Sequence, residues 1–450
     1  MSERFLVIGG DAAGMSAASK AKREDPDREV VVLERSEWVS YGACGLPYYV
    51  KGEIDSLDDL IAIPADRFRE ERNIDLRTGH EAIGIDRSRK EVTVETDAGE
   101  EYGIGYDDML IATGAGALEP PIDGLDAENV FTLQEMNAGR TLKEAIETGA
   151  YDRFGIIGGG YIGIEMAEAF RGRSIDVTLF EMRDHVLPPF GASAAETVAG
   201  ELEDNGVDVR TSTRVQALEG KNAVERIVTD DGAVEVDAVL VAAGVDPNVE
   251  LAEQAGIDLG PTGAIATDAY GRTSDDAVYA AGDCAEMTHA VTDEPAHVPL
   301  ALTANRAGRA VGATVGGDPT PVGDIAGTAV LKAFDLAVAR TGMLDEEELR
   351  DAGFDPVSVT ITSASRAHYY PGGSEIEVTL VGDAESGRVL GASIVGHEGV
   401  AKRIDPIATA IQSDLTVEDV EYLDLSYAPP FGPTWDPILT AAKVLNGKLD

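Results

Sequence analysis

The feature that most constrains this chain is a pattern written twice: apolar strand, glycine-rich turn, small-residue helix, second apolar strand, acid. Arg4-Phe-Leu-Val-Ile8 leads into Gly9-Gly10-Asp11-Ala12-Ala13-Gly14 and a helix over Met15 to Arg23; a second strand from Glu29 to Leu33 then ends in Glu34. At Phe154-Gly-Ile-Ile157 the pattern returns in strict form as Gly158-Gly159-Gly160-Tyr161-Ile162-Gly163. A helix over Ile164 to Phe170 and the strand Asp176-Val-Thr-Leu-Phe-Glu181 follow. A glycine turn that opens a helix lets backbone N–H groups approach a pyrophosphate, and an acid about 20 residues on accepts from a ribose hydroxyl. The first copy has Asp11 where the strict pattern has glycine, so it stands on Gly9, Gly10 and Gly14, with Ala13 beside them. One such motif is a weak signal, because tight strand–helix packing alone can produce it. Two in register predict an α/β chain with two Rossmann-like dinucleotide-binding domains.

Two dinucleotide sites in one chain imply a donor and an acceptor held close together, and FAD with NADH is the natural pair. Glu181 would accept from a free 2′-hydroxyl and repel a 2′-phosphate, which predicts NADH over NADPH; Arg183, two residues on, softens that preference. Asp108 to Gly114 and Val278 to Cys284 read as strand ends that meet a ligand. Asp283 is expected to hold a flavin ribityl chain, with Thr113, Gly114 and Gly244 as further cofactor contacts. After about residue 325 the texture changes. Thr328 to Val338, Ser358 to Ser363, Glu375 to Leu380 and Val389 to Val395 read as strands, with helices near Ile404 to Gln412 and Trp435 to Leu445. The expected division is therefore an FAD domain over 1–118 and 244–324, an NAD(P)H domain over 119–243, and a C-terminal α+β dimerisation domain over 325–450.

A chain of 450 residues agrees with three domains at about 150 residues each. Its 82 acidic and 36 basic residues give a net charge of −46, which makes the compact state repel itself in dilute buffer. Molar salt shortens the Debye length to about 3 Å and makes such a surface tolerable. The 10 lysines against 26 arginines fit the same reading. A salt-rich cytoplasm is expected, with stability falling steeply on desalting. Nucleic acid is a poor partner, since binding it depends on cations that neutralise phosphates. Apolar stretches such as Ala238 to Gly244 fall short of the ~20 residues a membrane-spanning helix needs. Met1-Ser2-Glu3-Arg4 lacks the basic and apolar blocks of a secretion signal, so a cytoplasmic location without a membrane partner is expected. The six histidines, at 80, 185, 289, 297, 368 and 397, show no ligand spacing, and no metal site is expected.

Cys44 stands in Ser40-Tyr41-Gly42-Ala43-Cys44-Gly45-Leu46-Pro47-Tyr48, just after the first nucleotide unit and, by its pattern, at the head of a helix. Helix N-termini lower a thiol pKa and favour the reactive thiolate. By composition alone a cysteine is most often a small buried residue; placement beside a flavin unit favours chemistry. Cys284, next to Asp283, reads as small-residue packing.

Fingerprint, cysteine loop, Ala112-Thr113-Gly114, second fingerprint, Gly282-Asp283 and C-terminal domain, in that order, resemble the pyridine nucleotide–disulfide oxidoreductase family over essentially the whole chain. The single-cysteine loop followed by Gly-Leu-Pro-Tyr is similar to its CoA-disulfide reductase and NADH oxidase branch. Two-cysteine branches carry a second thiol five residues on, where this chain has Tyr49. One sulfur must therefore alternate between thiolate and a mixed disulfide or sulfenic acid. The resemblance implies that NADH reduces FAD and that reduced flavin frees Cys44 from a mixed disulfide with CoA. It also implies that Tyr427, in Tyr427-Ala-Pro-Pro-Phe-Gly-Pro-Thr434, supplies protons together with Tyr369. In a homodimer both tyrosines would reach the other subunit's Cys44, whereas Tyr370 reads as packing.

Ser16, Lys20 and Arg23 fall on one helical face and, with Arg72, form a candidate clamp for the CoA phosphates or simply a solvated face. Ser40 and Asn305 are similar to family substrate contacts. Ala43 stands where bacterial members usually carry Asn. Ala12 stands where water-forming oxidases and peroxidases of the family carry His, which argues against efficient oxygen or peroxide reduction. The expected activity is reduction of a low-molecular-weight disulfide, CoA disulfide first. An NADH oxidase and a persulfide or polysulfide reductase are the alternatives with the same cysteine, and a flavin-bearing redox sensor is the alternative of another class.

Overall fold

The protein is described by a computed structural model that covers residues 3–449. The helices that matter for the site are α1 (Ala12–Glu24), α2 (Leu46–Lys51), α3 (Tyr161–Gly172), α4 (Ala301–Val315), α5 (Ile404–Gln412) and α6 (Pro437–Leu449).

The first apolar run, Arg4–Ile8, is the centre of a five-stranded parallel sheet. Its order is Val278–Ala280, Asp108–Ile111, Arg4–Ile8, Glu29–Glu34, Asp75–Thr78. Helices cover such a sheet, which is why Phe5, Leu6, Val7 and Ile8 are all apolar and buried rather than alternating with polar residues. The small residues of α1 let α4 approach its backbone: a Cβ at Gly308 would lie 2.0 Å from the Ala13 carbonyl oxygen. The chain thus returns to the first sheet after visiting the second. The second sheet repeats the arrangement around Arg153–Ile157, in the order Val207–Arg210, Asp176–Phe180, Arg153–Ile157, Ala238–Val241, Val130–Phe131. Ala115–Ala117 pairs antiparallel with Val245–Pro247 where the chain crosses out and back.

The C-terminal residues build an antiparallel five-stranded sheet ordered Ala329–Ala333, Leu336–Gly342, Val389–Gly396, Glu375–Asp383, Pro356–Ala364. The single strand expected over Thr328 to Val338 is instead a hairpin that turns at Phe334, whose φ is +53°. No glycine or asparagine announces that turn. A tertiary bond supports it, because the Phe334 N–H donates to Glu168 Oε2 of α3 at 2.8 Å. The same buried carboxylate accepts from Lys51 at the end of α2 (2.8 Å) and from Lys332 (2.6 Å), so α2, α3 and the hairpin meet at one group. Helix α5 runs as expected over Ile404–Gln412, while α6 starts at Pro437 rather than Trp435. Proline has no N–H to leave unpaired in a first turn, and Asp436 Oδ1 accepts from Ile438 N there.

Among the described residues four acids are buried, Glu168, Glu181, Glu286 and Asp383, so the excess negative charge lies on the surface and the cavity walls. No helix among them is long and apolar enough to cross a membrane.

Candidate active site

One cavity of about 2280 Å³ lies where both parallel sheets end and the C-terminal domain begins. A site for one small molecule is roughly 300–1,000 Å³, so this one has room for more than one ligand. Gly158, Gly160 and Glu181 of the second turn line it, as do Ala13, Gly114, Gly244 and Asp283 from the first unit. Gly9, Gly10, Gly14, Glu34, Gly163 and Thr113 are not among its lining residues.

The two strand-end acids do the same work. Glu34 Oε2 accepts from the Gly10 N–H at 2.7 Å and its Oε1 from Ser36 N at 2.8 Å. Glu181 Oε2 accepts from Gly159 N at 2.8 Å and its Oε1 from Arg183 N at 2.9 Å. Each carboxylate oxygen keeps a lone pair for a ribose hydroxyl. Gly160 leaves open space at the start of α3, where a Cβ would meet nothing within 4 Å. The open ground at Gly160 fits a pyrophosphate against the N-terminus of α3, and the matching carboxylate brace of Glu34 fits a second dinucleotide at the first turn.

Thr113 and Gly114 are held by a residue that the sequence did not single out. Asn248 Nδ2 donates to the Thr113 carbonyl at 2.8 Å, Thr113 Oγ1 donates to the Asn248 carbonyl at 2.7 Å, and Asn248 N donates to the Gly114 carbonyl at 3.0 Å. The pairing is 135 residues long-range, which no local pattern reveals. Burial raises the carboxyl pKa of Asp283, partly offset by His297, whose Nε2–H donates to the Asp283 carbonyl at 2.7 Å.

Cys44 lies in a short 3₁₀ turn, Ala43–Gly45, ahead of α2, and is exposed at the cavity. Its loop is tied to the first glycine turn: Ser40 N donates to the Gly10 carbonyl at 3.0 Å and Tyr41 N to Asp11 Oδ1 at 2.9 Å. The expected lowering of its thiol pKa is not found. Although its surface is open to the cavity, the protein packed around the thiol partly desolvates it and pushes its pKa up, and the carboxylate of Glu165 adds to that push. A six-residue α2 provides too little dipole to overcome either. Glu165, on α3, is a second residue absent from the sequence reading. Burial first, and then the neighbouring Glu168, raise its carboxyl to about 7. The available signal was an acid in the otherwise apolar opening of that helix, Tyr161-Ile-Gly-Ile-Glu165.

Ser16, Arg23, Ser40, Arg72 and Asn305 all line the cavity, with Ser16 Oγ donating to Asn305 Oδ1 at 2.6 Å and Arg72 Nη1 to Ser19 Oγ at 2.8 Å. Lys20 does not line it. Its ammonium pairs with Glu24 one turn along α1, an i,i+4 partner that draws it away. Arg309 of α4, four residues after Asn305, is the cation found at the wall instead. Tyr369 and Tyr427 are also outside the lining. Their hydroxyls lie 2.6 Å apart on the exposed face of the C-terminal domain, and Tyr370 sits beneath the Arg366 guanidinium. Cys284 is fully buried, its thiol 3.5 Å from the Ile111 carbonyl oxygen, as small-residue packing requires. No group of three or more His, Cys, Asp or Glu is placed to hold a metal among the described residues.

Two nucleotide turns facing one cavity that also exposes a lone cysteine define a class, the oxidoreductases that relay electrons between a flavin and a nicotinamide. The comparison with family models is specific. Residues 3–308 match the pyridine nucleotide-disulphide oxidoreductase model and 328–437 its dimerisation domain, so the chain belongs to the pyridine nucleotide-disulphide oxidoreductase family and uses FAD and NAD(P)H. It is 38% identical over 446 residues, 99% of each chain, to the NAD(P)H coenzyme A polysulfide/persulfide reductase of Pyrococcus horikoshii. Among solved structures it resembles the NAD-dependent persulfide reductase from A. fulgidus, with 41% identity and a TM-score of 0.95. The match covers 99% of this chain and 83% of that one. It also resembles reduced Bacillus anthracis CoADR-RHD, with 34% identity and a TM-score of 0.97, over 100% of this chain and 81% of that one.

Proposed function

We propose that this protein is an NADH-preferring reductase of small CoA-bearing sulfur compounds, with Cys44 as the reacting sulfur. CoA disulfide is the first substrate, and a CoA persulfide or polysulfide is a second reading favoured by the names of the Pyrococcus horikoshii and A. fulgidus proteins. The observation that carries the proposal is one exposed thiol on the cavity wall, with Arg23, Arg72 and Arg309 at the same cavity to meet nucleotide phosphates. Tyr49 stands five residues after Cys44, so no second thiol intercepts the bond.

FAD, when bound, supplies the two-electron relay from NADH to sulfur; overall, NADH, one proton and R–S–S–R give NAD⁺ and two R–SH. Cys44, once deprotonated, attacks one sulfur of the substrate, forms a Cys44–S–S–R bond and expels R–S⁻. A proton for that leaving thiolate comes from Tyr427. Its hydroxyl is held below the usual tyrosine range by the hydrogen bond it shares with Tyr369 and then by Thr434. As the family resemblance implies, both tyrosines serve the partner subunit of a homodimer; neither lines the Cys44 cavity of its own chain. Gly9, Gly10, Gly14, Glu34 and Asp283 belong to the flavin side and Gly158, Gly160, Gly163 and Glu181 to the nicotinamide side. The proposed domain boundaries are 118, 244 and 325, and the proposed setting is a cytoplasm of high ionic strength.

The test is an anaerobic assay with NADH against CoA disulfide and CoA persulfide, followed by mass spectrometry of Cys44. Cys44→Ser is expected to keep its flavin and to lose at least about a hundredfold in turnover, with no adduct. Cys284→Ala should stay within about twofold, as a small packing change at a fully buried side chain would. Disulfide reduction that survives Cys44→Ser sinks the proposal; NADH consumption that requires oxygen alone makes the protein an oxidase.

A further inference from the structure

We propose that Arg403 is a positioning residue for the sulfur chemistry: its guanidinium pins together the two loops that carry Tyr369 and Tyr427. The proposal rests on the role given above to those tyrosines.

Arg403 immediately precedes α5, and its side chain is nearly buried. Its Nη2 donates to two carbonyl oxygens at once, Ser365 at 3.2 Å and Phe431 at 2.9 Å. Ser365 lies four residues before Tyr369 and Phe431 four residues after Tyr427, so one nitrogen holds the root of each tyrosine loop. Nη1 donates to the Gly399 carbonyl at 2.8 Å, and Nε to Asp436 Oδ2 at 2.9 Å. Asp436 is itself fixed by accepting from Ile438 N in the first turn of α6. Space is reserved for the guanidinium, since a Cβ at Gly399 would fall 2.1 Å from Nη1. A second link between the loops is the Ala367 N–H to the Pro429 carbonyl, at 3.2 Å.

A planar fork with several donors reaches four acceptors in different directions, which a lysine ammonium cannot do. The tyrosine pair needs such a device. Both hydroxyls are exposed, on loops without regular structure, and a contact of 2.6 Å demands that both loops stay in register. If the loops part, Tyr427 loses the hydrogen bond that keeps its hydroxyl acidic, and its titration rises toward that of an ordinary tyrosine.

The test compares Arg403→Lys, Tyr427→Phe and the neutral pair Arg403→Gln with Asp436→Asn in the flavin-loaded enzyme, measuring CoA-disulfide turnover and NADH-driven ferricyanide reduction. Arg403→Lys is expected to lower the ratio of disulfide to ferricyanide turnover about tenfold. It should also move the alkaline limb of the disulfide pH profile upward, because the acid form of Tyr427 would then persist to higher pH. Tyr427→Phe should remove that limb. If Arg403→Lys is poorly folded, the neutral pair, which leaves no buried charge unpaired, must show the same fall in ratio. Equal losses in both activities, or an unmoved pH limb, make Arg403 a merely structural residue and overturn the proposal. A Tyr427→Phe enzyme with unchanged disulfide turnover overturns instead the reading on which it rests.

Discussion

The two nucleotide turns are nearly the same object built from different residues. Gly9 and Gly158 both have φ of +111°, and a Cβ on either would lie 2.1 or 2.2 Å from a carbonyl oxygen of the neighbouring strand's end, Ala112 or Ala242. Gly14 and Gly163 meet the carbonyl oxygens of Gly9 and Gly158 at 1.9 and 2.0 Å in the same sense. The turns differ at the third position. Asp11 and Gly160 both have negative φ, so the backbone demands glycine at neither. At Gly160 the space is left open, whereas Asp11 fills it with a carboxylate that ties the turn to the cysteine loop through Tyr41. The outer glycines of the motif thus serve the chain, and the middle one serves whatever lies in front of it.

That comparison can be broken most severely at its shared point. Gly9→Ala and Gly158→Ala each combine a left-handed backbone with a clash against main chain, at a cost of about 3–5 kcal/mol. Equal damage should give unequal phenotypes. Gly9→Ala is expected to purify without flavin, as read by its visible absorbance, while Gly158→Ala keeps its flavin and raises the KM for NADH about a hundredfold or more. Loss of flavin from Gly158→Ala would show that the units do not fold around their ligands independently.

The difference at the third position gives the next prediction. Burial raises the Asp11 carboxyl from 3.8 to about 6, with Glu34 and Asp283 adding to the rise and the Tyr41 N–H opposing it. A folded pKa above the unfolded one means that this stabilisation is complete below about pH 4 and is lost as pH rises through 6. At pH 8 the ionised group costs the flavin-free protein about 3 kcal/mol. Asp11→Asn keeps an acceptor for Tyr41 and removes the charge. It should melt higher than the parent at pH 8, with the difference vanishing toward pH 4. A gap independent of pH would mean that packing, not ionisation, separates Asp11 from Gly160.

What the sequence made legible was whatever is written locally. The strands Arg4–Ile8 and Glu29–Glu34, the two turns and α5 follow from apolar periodicity and from glycines that sterics require. The hairpin at Phe334 was not legible, because its turn is supported by Glu168, over 160 residues away. Asn248 was hidden for the same reason. Helical spacing puts Lys20 on the face of the candidate clamp, but it shows only which residues share a face and not which of them finds an acid first. At Cys44 the helix start is visible in the sequence, whereas the desolvation and the Glu165 carboxylate that outweigh it come from distant parts of the chain.

The smallest expected effect concerns the two strand-end acids, whose geometry alone cannot distinguish them. Glu34 and Glu181 brace their turns through the same pair of backbone amides, so each is part of the fold before any ribose arrives. On the proposed assignment, only the second faces a cosubstrate that comes in two forms. Arg183 and Arg214 line the cavity with Glu181, and removing the carboxylate would leave those guanidinium groups to meet a 2′-phosphate. Glu181→Ala is therefore expected to lower the ratio of kcat/KM for NADH to that for NADPH about tenfold, equivalent to about 1.4 kcal/mol. Steady-state kinetics with both cosubstrates reads the ratio directly. An unchanged ratio would mean that Glu181, like Glu34, holds only its turn, and that discrimination lies with the arginines.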